Sequence, residues 1–347
     1  MAYFKNFNKL QLNTLINFRN NEIKIGERVD YPDENQDIEA FISQTESDFV
    51  VFGIAEDFGV IANCGIAGTR LAWNEFVKCF VNIQNNSLLK GKSVAILGHF
   101  DFENLLDLDR NFSIKNAEDL QILHEVVSKI DKEISYLVSL IIKYKKIPII
   151  IGGGHNNSYG NIKGLSLAKG KSVNVINFDA HTDFRNLEGR HSGNGFSYAY
   201  DHGFLKRYFI FGVHENYLSK SILKNIENTE GNVLYNTYEE IAIREEKGFT
   251  NELKKALEHI EKDCFGIEID MDALPNIPSS AQTPSGFSIE KARRFVHYFG
   301  QHKKASYLHL CEAAPSLSPV ETRNLTAKAM VYLVTDFIKA KLKTNDN

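Results

Sequence analysis

The stretch V-N-V-I-N-F-D-A-H-T-D, residues Val173–Asp183, decides the predicted fold. Its first six residues are mostly β-branched or aromatic, which is typical of a strand buried within a parallel sheet. Polar side chains follow at once, at Asp179, His181 and Asp183. We therefore predict a buried parallel strand that ends in these three residues, at the edge where open α/β sheets bind their ligands.

Asp179, His181 and Asp183 are spaced two residues apart. In an extended chain such residues point to the same side, so the three side chains can converge just beyond the strand. Two carboxylates and one imidazole suit a divalent ion such as Mn²⁺, and no cysteine lies nearby to favour a thiophilic metal. The alternative is an ordinary polar loop, in which the aspartates form turns and the histidine lies at the surface.

Composition limits the classes of protein to consider. The 347 residues are 43% apolar and 24% charged with a net charge of −4, so the chain has no bulk attraction to nucleic acid or to an anionic membrane. No apolar run approaches the ~18 residues that span a bilayer, and the first residues lack the apolar core of a secretory signal. The cysteines show no paired spacing and stand in apolar surroundings, which predicts buried free thiols and a cytoplasmic protein; they are Cys64, Cys79, Cys264 and Cys311.

Further apolar runs alternate with helical patterns along the chain, which predicts a parallel sheet covered by helices in a single domain over residues 1–347. A long amphipathic helix is expected from about Ala117 to Tyr144, because apolar residues recur there at spacings of three and four. The polar residues 1–45 are predicted to form a peripheral extension with one short helix. The other strands are expected at Phe49–Ile54, Ser93–Gly98, Ile147–Ile151, Lys206–Val213, Cys264–Asp270 and Ser306–Cys311.

Two more predicted strands end in potential metal ligands. His155 follows the glycines 152–154, and Asp270 and Asp272 end the strand E-I-D-M-D. A phosphate-binding loop is the alternative for the glycine run, but neither G-K-[ST] nor G-x-G-x-x-G is present. With the first motif these residues make four aspartates and two histidines, which is enough for two divalent ions ~3.5–4 Å apart if one aspartate bridges them.

The three motifs G-G-G-H, D-A-H-T-D and D-M-D resemble the metal motifs of the ureohydrolase family, which includes arginases, agmatinases and formimidoylglutamases, and they occur in the family's order. F-G-I-A-E-D-F-G with the later G-I-A-G-T-R is similar to the family's amino-terminal glycine loop, and Glu312 in L-C-E-A-A-P is similar to its late E-V-x-P strand end. The resemblance runs from about Phe49 to the last helix. It implies a three-layer α/β/α fold, two Mn²⁺ ions per chain, hydrolysis of an amidino C–N bond and a symmetric homo-oligomer.

Carried over position by position, the resemblance implies roles for individual residues. The nucleophile is a metal-bridging hydroxide, Asp183 accepts its proton, and Glu312 pairs with the cationic amidino group of the substrate. His191 and His214 are candidate proton shuttles, with a structural role as the alternative. The metal ligands are His155, Asp183 and the bridging Asp179 and Asp270 for one ion, with His181 and Asp272 completing the other.

The loop after the metal strand is expected to line the mouth of the site. In formimidoylglutamases the corresponding loop resembles D-x-R followed by S-G-T-x-F, which this chain matches except at Asn194. Arginases show a similar S-G-N but follow it with a histidine, where this chain has Phe196. We predict substrate contacts from Arg185, Arg190, Ser192, Asn194 and Glu215.

The expected substrate is N-formimidoyl-L-glutamate, because two arginines can pair with its two carboxylates. Arginine or another guanidino compound is the first alternative. The third motif departs from the family at Glu268, where a serine is usual, and at Pro275-Asn276, which replaces Asp-Pro. Two other classes remain open on the sequence: a mononuclear zinc hydrolase similar to deacetylases, and a binding protein without metal or activity.

Overall fold

We describe a computed structural model of the chain, covering residues 1, 3–105 and 115–345. Within these residues one sheet contains nine strands: β1 (Phe4–Asn6), β2 (Phe49–Ala55), β3 (Val94–Asp101), β4 (Ile147–Ile151), β5 (Val173–Phe178), β6 (Leu205–Val213), β7 (Val233–Thr237), β8 (Phe265–Asp270) and β9 (Ala305–Cys311). Their order in the sheet is β1-β3-β2-β4-β9-β8-β5-β6-β7. The antiparallel pair is β1 with β3, and the other neighbours run parallel.

Helices cover both faces of this sheet. They are α1 (Lys9–Leu15), α2 (Ile38–Gln44), α3 (Phe58–Ala62), α4 (Ala72–Phe80), α5 (Ala117–Lys143), α6 (Asn157–Lys169), α7 (Gly195–Asp201), α8 (Lys220–Glu227), α9 (Phe249–Ile260), α10 (Ile289–Gly300) and α11 (Arg323–Asn345). One apolar cluster joins the sheet to α4, α9, α10 and α11, and a second joins its other face to α2, α5 and α6. The predicted three-layer α/β/α architecture is therefore confirmed.

The alternation of side chains along β2 and β4 explains why there are two cores. Phe49 and Val51 of β2 belong to the first apolar cluster, whereas Val50 and Phe52 belong to the second. Successive residues of a strand point to opposite faces of the sheet, so a strand that is apolar throughout contributes side chains to both apolar clusters. Each large apolar side chain buried in this way contributes about 1.5–3 kcal/mol to folding.

The predicted strands are confirmed, and each begins within one or two residues of its predicted start. β4 and β5 match both of their predicted bounds. The structure also contains β7 and the antiparallel edge strand β1, which the sequence analysis did not predict. Both are short edge strands, and their pairing depends on the neighbouring strand rather than on a strong apolar pattern of their own. The predicted short helix near the amino terminus is α1.

The four cysteines are free, as predicted, but Cys64 is exposed rather than buried. It follows the short helix α3 in a left-handed conformation with φ of 64°, and the turn directs it outward. Of the other three, Cys311 is buried, and Cys79 and Cys264 are partly buried. In the part of the chain that the structure describes, no helix combines the length and the apolar character needed to cross a membrane.

Gly53 permits the close approach of β2 and the Trp73 ring of α4. A Cβ atom at this position would lie 2.4 Å from Cδ2 of the Trp73 indole, so a side chain must displace a buried ring. We expect Gly53→Ala to lower the free energy of unfolding by about 1–3 kcal/mol, measured by urea denaturation. The control is Gly248→Ala, where the added Cβ would lie 3.7 Å from an Asn251 side-chain atom; equal midpoints for the two variants would contradict the packing argument.

Candidate functional site

The site lies where four neighbouring strands end. β4, β9, β8 and β5 are adjacent in the sheet and parallel, so their carboxyl ends share one edge. His155 follows β4, Glu312 follows β9, Asp270 is the last residue of β8 and Asp179 follows β5. The fold therefore brings together the three motifs that the sequence analysis assigned to one site, with Glu312 beside them.

The first cluster centres on the imidazole of His155. Its Nδ1 atom lies 3.3 Å from Oδ2 of Asp179, 2.8 Å from Oδ2 of Asp183 and 3.1 Å from Oδ2 of Asp270. One ring nitrogen can donate only one hydrogen, so it cannot satisfy three carboxylate oxygens at once. An arrangement of this kind favours a cation at its centre.

The second cluster shares Asp179 with the first. Oδ1 of Asp179 lies 3.6 Å from Nδ1 of His181, and the same nitrogen lies 3.3 Å from Oδ2 of Asp272. The two oxygens of Asp179 thus face two different groups of side chains. Backbone amides support the carboxylates: the His181 N–H donates to Asp179 Oδ1 at 2.7 Å, and the Asp272 N–H donates to Asp270 Oδ1 at 2.9 Å.

The protonation behaviour of the clusters reports the same demand for positive charge. Burial lowers the pKa of both His155 and His181, but neighbouring groups outweigh this effect. At His155 these groups are Cys311 and the nearby aspartates, and at His181 they are aspartates. The pKa of each imidazole therefore lies well above its ordinary value. Burial and nearby carboxylates also raise the pKa of Asp183 and Asp270.

These residues fit a pair of divalent cations. Oδ1 of Asp272 is buried and has no hydrogen-bond partner among the described residues, and a buried carboxylate oxygen of this kind costs free energy unless a cation or donor meets it. Each of the two groups offers ligand atoms that lie within 4.8 Å of one another. Carboxylate oxygens with imidazole nitrogens are a donor set that suits Mn²⁺.

Asp179 is held by a chain of hydrogen bonds from within β5 and β6. The Asn177 amide donates to Asp179 Oδ2 at 2.8 Å and to the Tyr208 hydroxyl at 2.9 Å, and that hydroxyl donates to the Thr182 carbonyl at 3.0 Å. All of these groups are buried. The orientation of the shared carboxylate is therefore set by the strands rather than by a mobile loop.

Two site residues adopt the left-handed conformation that non-glycine residues rarely occupy, Asp183 with φ of 45° and Glu312 with φ of 60°. Strain of this kind concentrates at functional sites. Oε1 of Glu312 accepts a hydrogen bond from the His155 N–H at 2.8 Å. Burial, reinforced by the carboxylates of Asp272 and Asp183 and opposed by the backbone hydrogen bond, raises the pKa of Glu312 to about 8.

A cavity of about 380 Å³ opens over the clusters. Arg185 and Ser192 line it, as predicted for substrate contacts. The Arg185 guanidinium donates to Asn63 Oδ1 at 2.6 Å and to Glu188 at 2.7 Å, and the Asn63 amide donates to the Ser192 hydroxyl at 3.1 Å. The further lining comes from Val60, Gly65, His181, Thr182, Asp183, Gly193, Tyr217, Ile222, Asp270, Asp272, Ser280, Ala281 and Glu312.

Arg190 and Asn194 do not reach this cavity. The Arg190 guanidinium is buried against Asp131 of α5, with Nε 2.9 Å from Oδ2, and it also donates to Asn194 Oδ1 at 2.7 Å. A further bond to the Asn156 carbonyl uses another of its donors. These two residues therefore brace the loop from within, because their polar atoms find partners in the protein.

His191, His214 and Glu215 are also absent from the cavity lining. The Nδ1 atom of His191 accepts a hydrogen bond from the Gly193 N–H, and the His214 ring stacks on Tyr238 at 4.9 Å. Glu215 is 42% exposed and pairs with Arg244. Neither histidine thus lines the cavity, their role as proton shuttles stays a prediction, and Glu215 lies at the surface.

Among the residues of the cavity wall that were not predicted from the sequence, three make specific contacts. Asn63 forms hydrogen bonds with Arg185 and Ser192. Tyr217 stacks on the His181 ring with centroids 4.6 Å apart, and the Ser280 hydroxyl accepts a hydrogen bond from the Ile66 N–H. Asn63 and Tyr217 stand in the segments N-C-G-I-A-G and H-E-N-Y, where nothing in their spacing distinguishes them from loop residues.

The fold and the site together define a three-layer α/β/α protein with paired clusters of metal-type ligands at the carboxyl edge of its sheet. The chain belongs to the arginase family, because the sequence model of that family matches residues 47–338. This confirms the resemblance noted from the three motifs.

Two curated relatives are formimidoylglutamases. That of Macrococcus caseolyticus is 34% identical over 169 residues, which are 48% of this chain and 47% of that protein. That of Streptococcus pyogenes is 28% identical over 229 residues, 61% of this chain and 66% of that protein. The matched regions thus span between about half and two thirds of the relatives' length.

Solved structures support the fold over almost the whole chain. Formimidoylglutamase from Bacillus subtilis superposes with a TM-score of 0.72 at 20% identity, covering 94% of this chain and 95% of that chain. Formiminoglutamase from Trypanosoma cruzi with Mn²⁺ gives a TM-score of 0.69 at 20% identity, covering 92% and 98%. A hypothetical agmatinase from Burkholderia thailandensis gives 0.68 at 17% identity, covering 95% and 93%.

The buried pair of Arg190 and Asp131 predicts a large effect on stability. Asp131→Asn leaves the Arg190 guanidinium buried without its counter-charge, so we expect the free energy of unfolding to fall by about 3–5 kcal/mol, measured by urea denaturation. Glu215→Gln breaks the exposed pair with Arg244 and is expected to cost less than about 1 kcal/mol. A difference of less than about 1 kcal/mol between the two variants would contradict the bracing role.

The burial of His191 predicts a dependence of stability on pH. Burial, with the nearby charges of Arg185 and Arg190, lowers the pKa of His191 to about 3. Below its ordinary value of about 6.5, the unfolded chain binds a proton that the folded chain does not, so this group lowers stability as the pH falls from about 6.5 to about 3.

The free energy of unfolding of the parent is expected to fall as the pH is lowered from 6.5 to 4.5. In His191→Gln we expect this fall to be smaller by about 2–3 kcal/mol. The measurement is urea unfolding of the metal-free proteins across this range. The exposed His297→Gln variant controls for the loss of an imidazole at the surface. Parallel stability curves for the parent and His191→Gln would show that the ring is not held neutral.

Proposed function

We propose that the chain is a di-manganese amidinohydrolase that converts N-formimidoyl-L-glutamate and water into L-glutamate and formamide. The observation that carries the proposal is the double role of Asp179, whose two oxygens face two separate groups of ligands. A mononuclear zinc hydrolase needs only one group of ligand side chains. A carboxylate shared between two such groups therefore favours a site for two ions. The proposed ligands are His155, Asp183, Asp179 and Asp270 for one ion, and Asp179, Asp270, His181 and Asp272 for the other.

When bound, two Mn²⁺ ions would supply Lewis-acid activation of a water molecule near neutral pH. Asp183 lies at the cavity with its side chain 13% exposed, so it can accept a proton from the attacking water. The water oxygen adds to the formimidoyl carbon, the bond between this carbon and the glutamate nitrogen breaks, and that nitrogen takes up the proton from Asp183.

Glu312 orients the substrate in this proposal. Its carboxylate lines the cavity, and one oxygen is anchored by the His155 N–H. A formimidoyl cation beside it forms charge-assisted hydrogen bonds, and its charge favours the ionised form of the carboxyl. Holding the planar carbon in one orientation beside Asp183 removes orientational freedom before the reaction, which is a large part of the catalysis that a rigid site can supply.

The cavity wall offers one cationic side chain to a carboxylate of the proposed substrate. The second arginine of the sequence prediction, Arg190, is buried against Asp131 and does not line the cavity. Arg185 lies at the cavity, and its side chain is 47% exposed, so the guanidinium donors that Asn63 and Glu188 do not use can pair with a substrate carboxylate. The S-G-N segment, which is the feature shared with arginases, has its Asn194 buried beneath Arg190. The Asn194 side-chain amide is therefore not available to a substrate. The formimidoylglutamase relatives favour N-formimidoyl-L-glutamate over arginine as the substrate.

The test is a product assay on protein loaded with Mn²⁺. We expect formamide and glutamate from N-formimidoyl-L-glutamate, two Mn²⁺ per chain by elemental analysis, and a loss of more than about 10³-fold in kcat/KM for Asp179→Ala, which removes ligands from both ions. Asp201→Asn, at an exposed position, is the matched control and should behave as the parent.

Other products would redirect the proposal. Urea from arginine without formamide release would identify an arginase. A single zinc ion with activity on an acylated amine would favour the deacetylase-like class. An Asp179→Ala variant with parental metal content and unchanged thermal stability would contradict the metal centre altogether.

A further inference from the structure

Glu268 lies on β8, two residues before Asp270 and directly below the proposed metal ligands. The chain carries a glutamate here where the family resemblance leads to a serine. Its side chain is fully buried. A charged residue at such depth is costly unless its oxygens are met by donors, so its surroundings indicate what it does.

Partners from the neighbouring strand β9 meet both oxygens of Glu268. The Tyr307 hydroxyl donates to Oε1 at 2.7 Å, and Nδ1 of His309 lies 2.5 Å from Oε2. Glu268 and His309 are directly opposite in the parallel register of β8 and β9. The contact is therefore set by the sheet itself and does not depend on a loop.

The other nitrogen of His309 fixes the orientation of its ring. Nε2 lies 3.3 Å from the Gly152 carbonyl oxygen, which can only accept, so Nε2 carries a hydrogen. On the other side of the ring, Nδ1 meets Oε2 of Glu268. Glu268 is thus an oriented hydrogen-bond acceptor beneath the site.

This acceptor faces the far side of the His155 ring. Nδ1 of His155 points at the aspartates, so as a metal ligand it must offer a lone pair, and Nε2 must then carry the hydrogen. Nε2 of His155 is buried without a hydrogen-bond partner among the described residues. It lies 3.6 Å from Oε2 of Glu268, slightly beyond hydrogen-bonding range.

We propose that Glu268, held by His309 and Tyr307, is a positioning residue that fixes the ring orientation and the tautomer of His155, so that Nδ1 is directed at the ion it binds. The inference rests on the proposed metal centre. Ligating histidines commonly present their second nitrogen to a carboxylate, and losing such a partner weakens metal binding by about 10–100-fold. In this chain the carboxylate comes from Glu268 on β8. A serine at this position has a shorter side chain and could not place a carboxylate beside the His155 ring.

The experiment compares the full-length parent with Glu268→Gln, which keeps the shape of the side chain and removes the carboxylate. Mn²⁺ affinity is measured by chelator competition for each of two binding steps, with elemental analysis for stoichiometry and thermal unfolding of the metal-free proteins. We expect one step to weaken by about 10–100-fold and the other by less than about threefold, with little change in metal-free stability. Asp336→Asn, which breaks the half-buried pair with Arg293, is the control away from the site.

Parental affinity in both steps, together with a lower unfolding temperature of the metal-free variant, would overturn the proposal, because Glu268 would then serve packing alone. If Glu268→Gln does not fold, His309→Gln perturbs the same contact and is expected to weaken the same step. A parent that binds no pair of Mn²⁺ ions would instead refute the proposed function. The two failures are therefore distinguishable.

Discussion

The structure of the site depends on one electrostatic constraint: carboxylates lie close together at the buried ends of three adjacent strands, β5, β8 and β9, beside the histidine that follows β4. Asp179 and Asp270 are almost completely buried, and each costs several kcal/mol in that environment unless positive charge or donors meet it. Backbone amides and the Asn177 side chain meet part of this need. The remainder points to cations, because the imidazoles cannot satisfy every oxygen that faces them.

The loop between β5 and α7 shows how a second layer of residues supports the first. Arg185 and Ser192 face the cavity, whereas Arg190 reaches back to Asp131 of α5 and holds Asn194. A buried ion pair with several hydrogen bonds gives the loop one conformation. The residues available to a substrate are therefore presented by a braced segment, which reduces the entropy lost on binding.

Backbone strain lies at the same place as the proposed chemistry. Asp183 and Glu312 both have positive φ, and each such residue costs of order 1–3 kcal/mol. The surrounding packing must offset this cost, which the dense hydrogen bonding around His155 and β4 can supply. The benefit is that both carboxylates face one cavity before any substrate arrives, as preorganised catalysis requires.

The sequence alone determined most strands of the sheet, their parallel sense and the six candidate ligands, because an apolar run followed by polar residues is a local pattern that marks the end of a buried strand. It did not predict the two edge strands, β1 and β7. It did not distinguish Arg185 from Arg190, since Asp131 lies 59 positions from Arg190 and only the packing of α5 brings them together. The Glu268–His309 contact likewise depends on the register of β8 and β9. Tertiary structure decided these points because charges separated in sequence select their partners by spatial proximity, which no local pattern records.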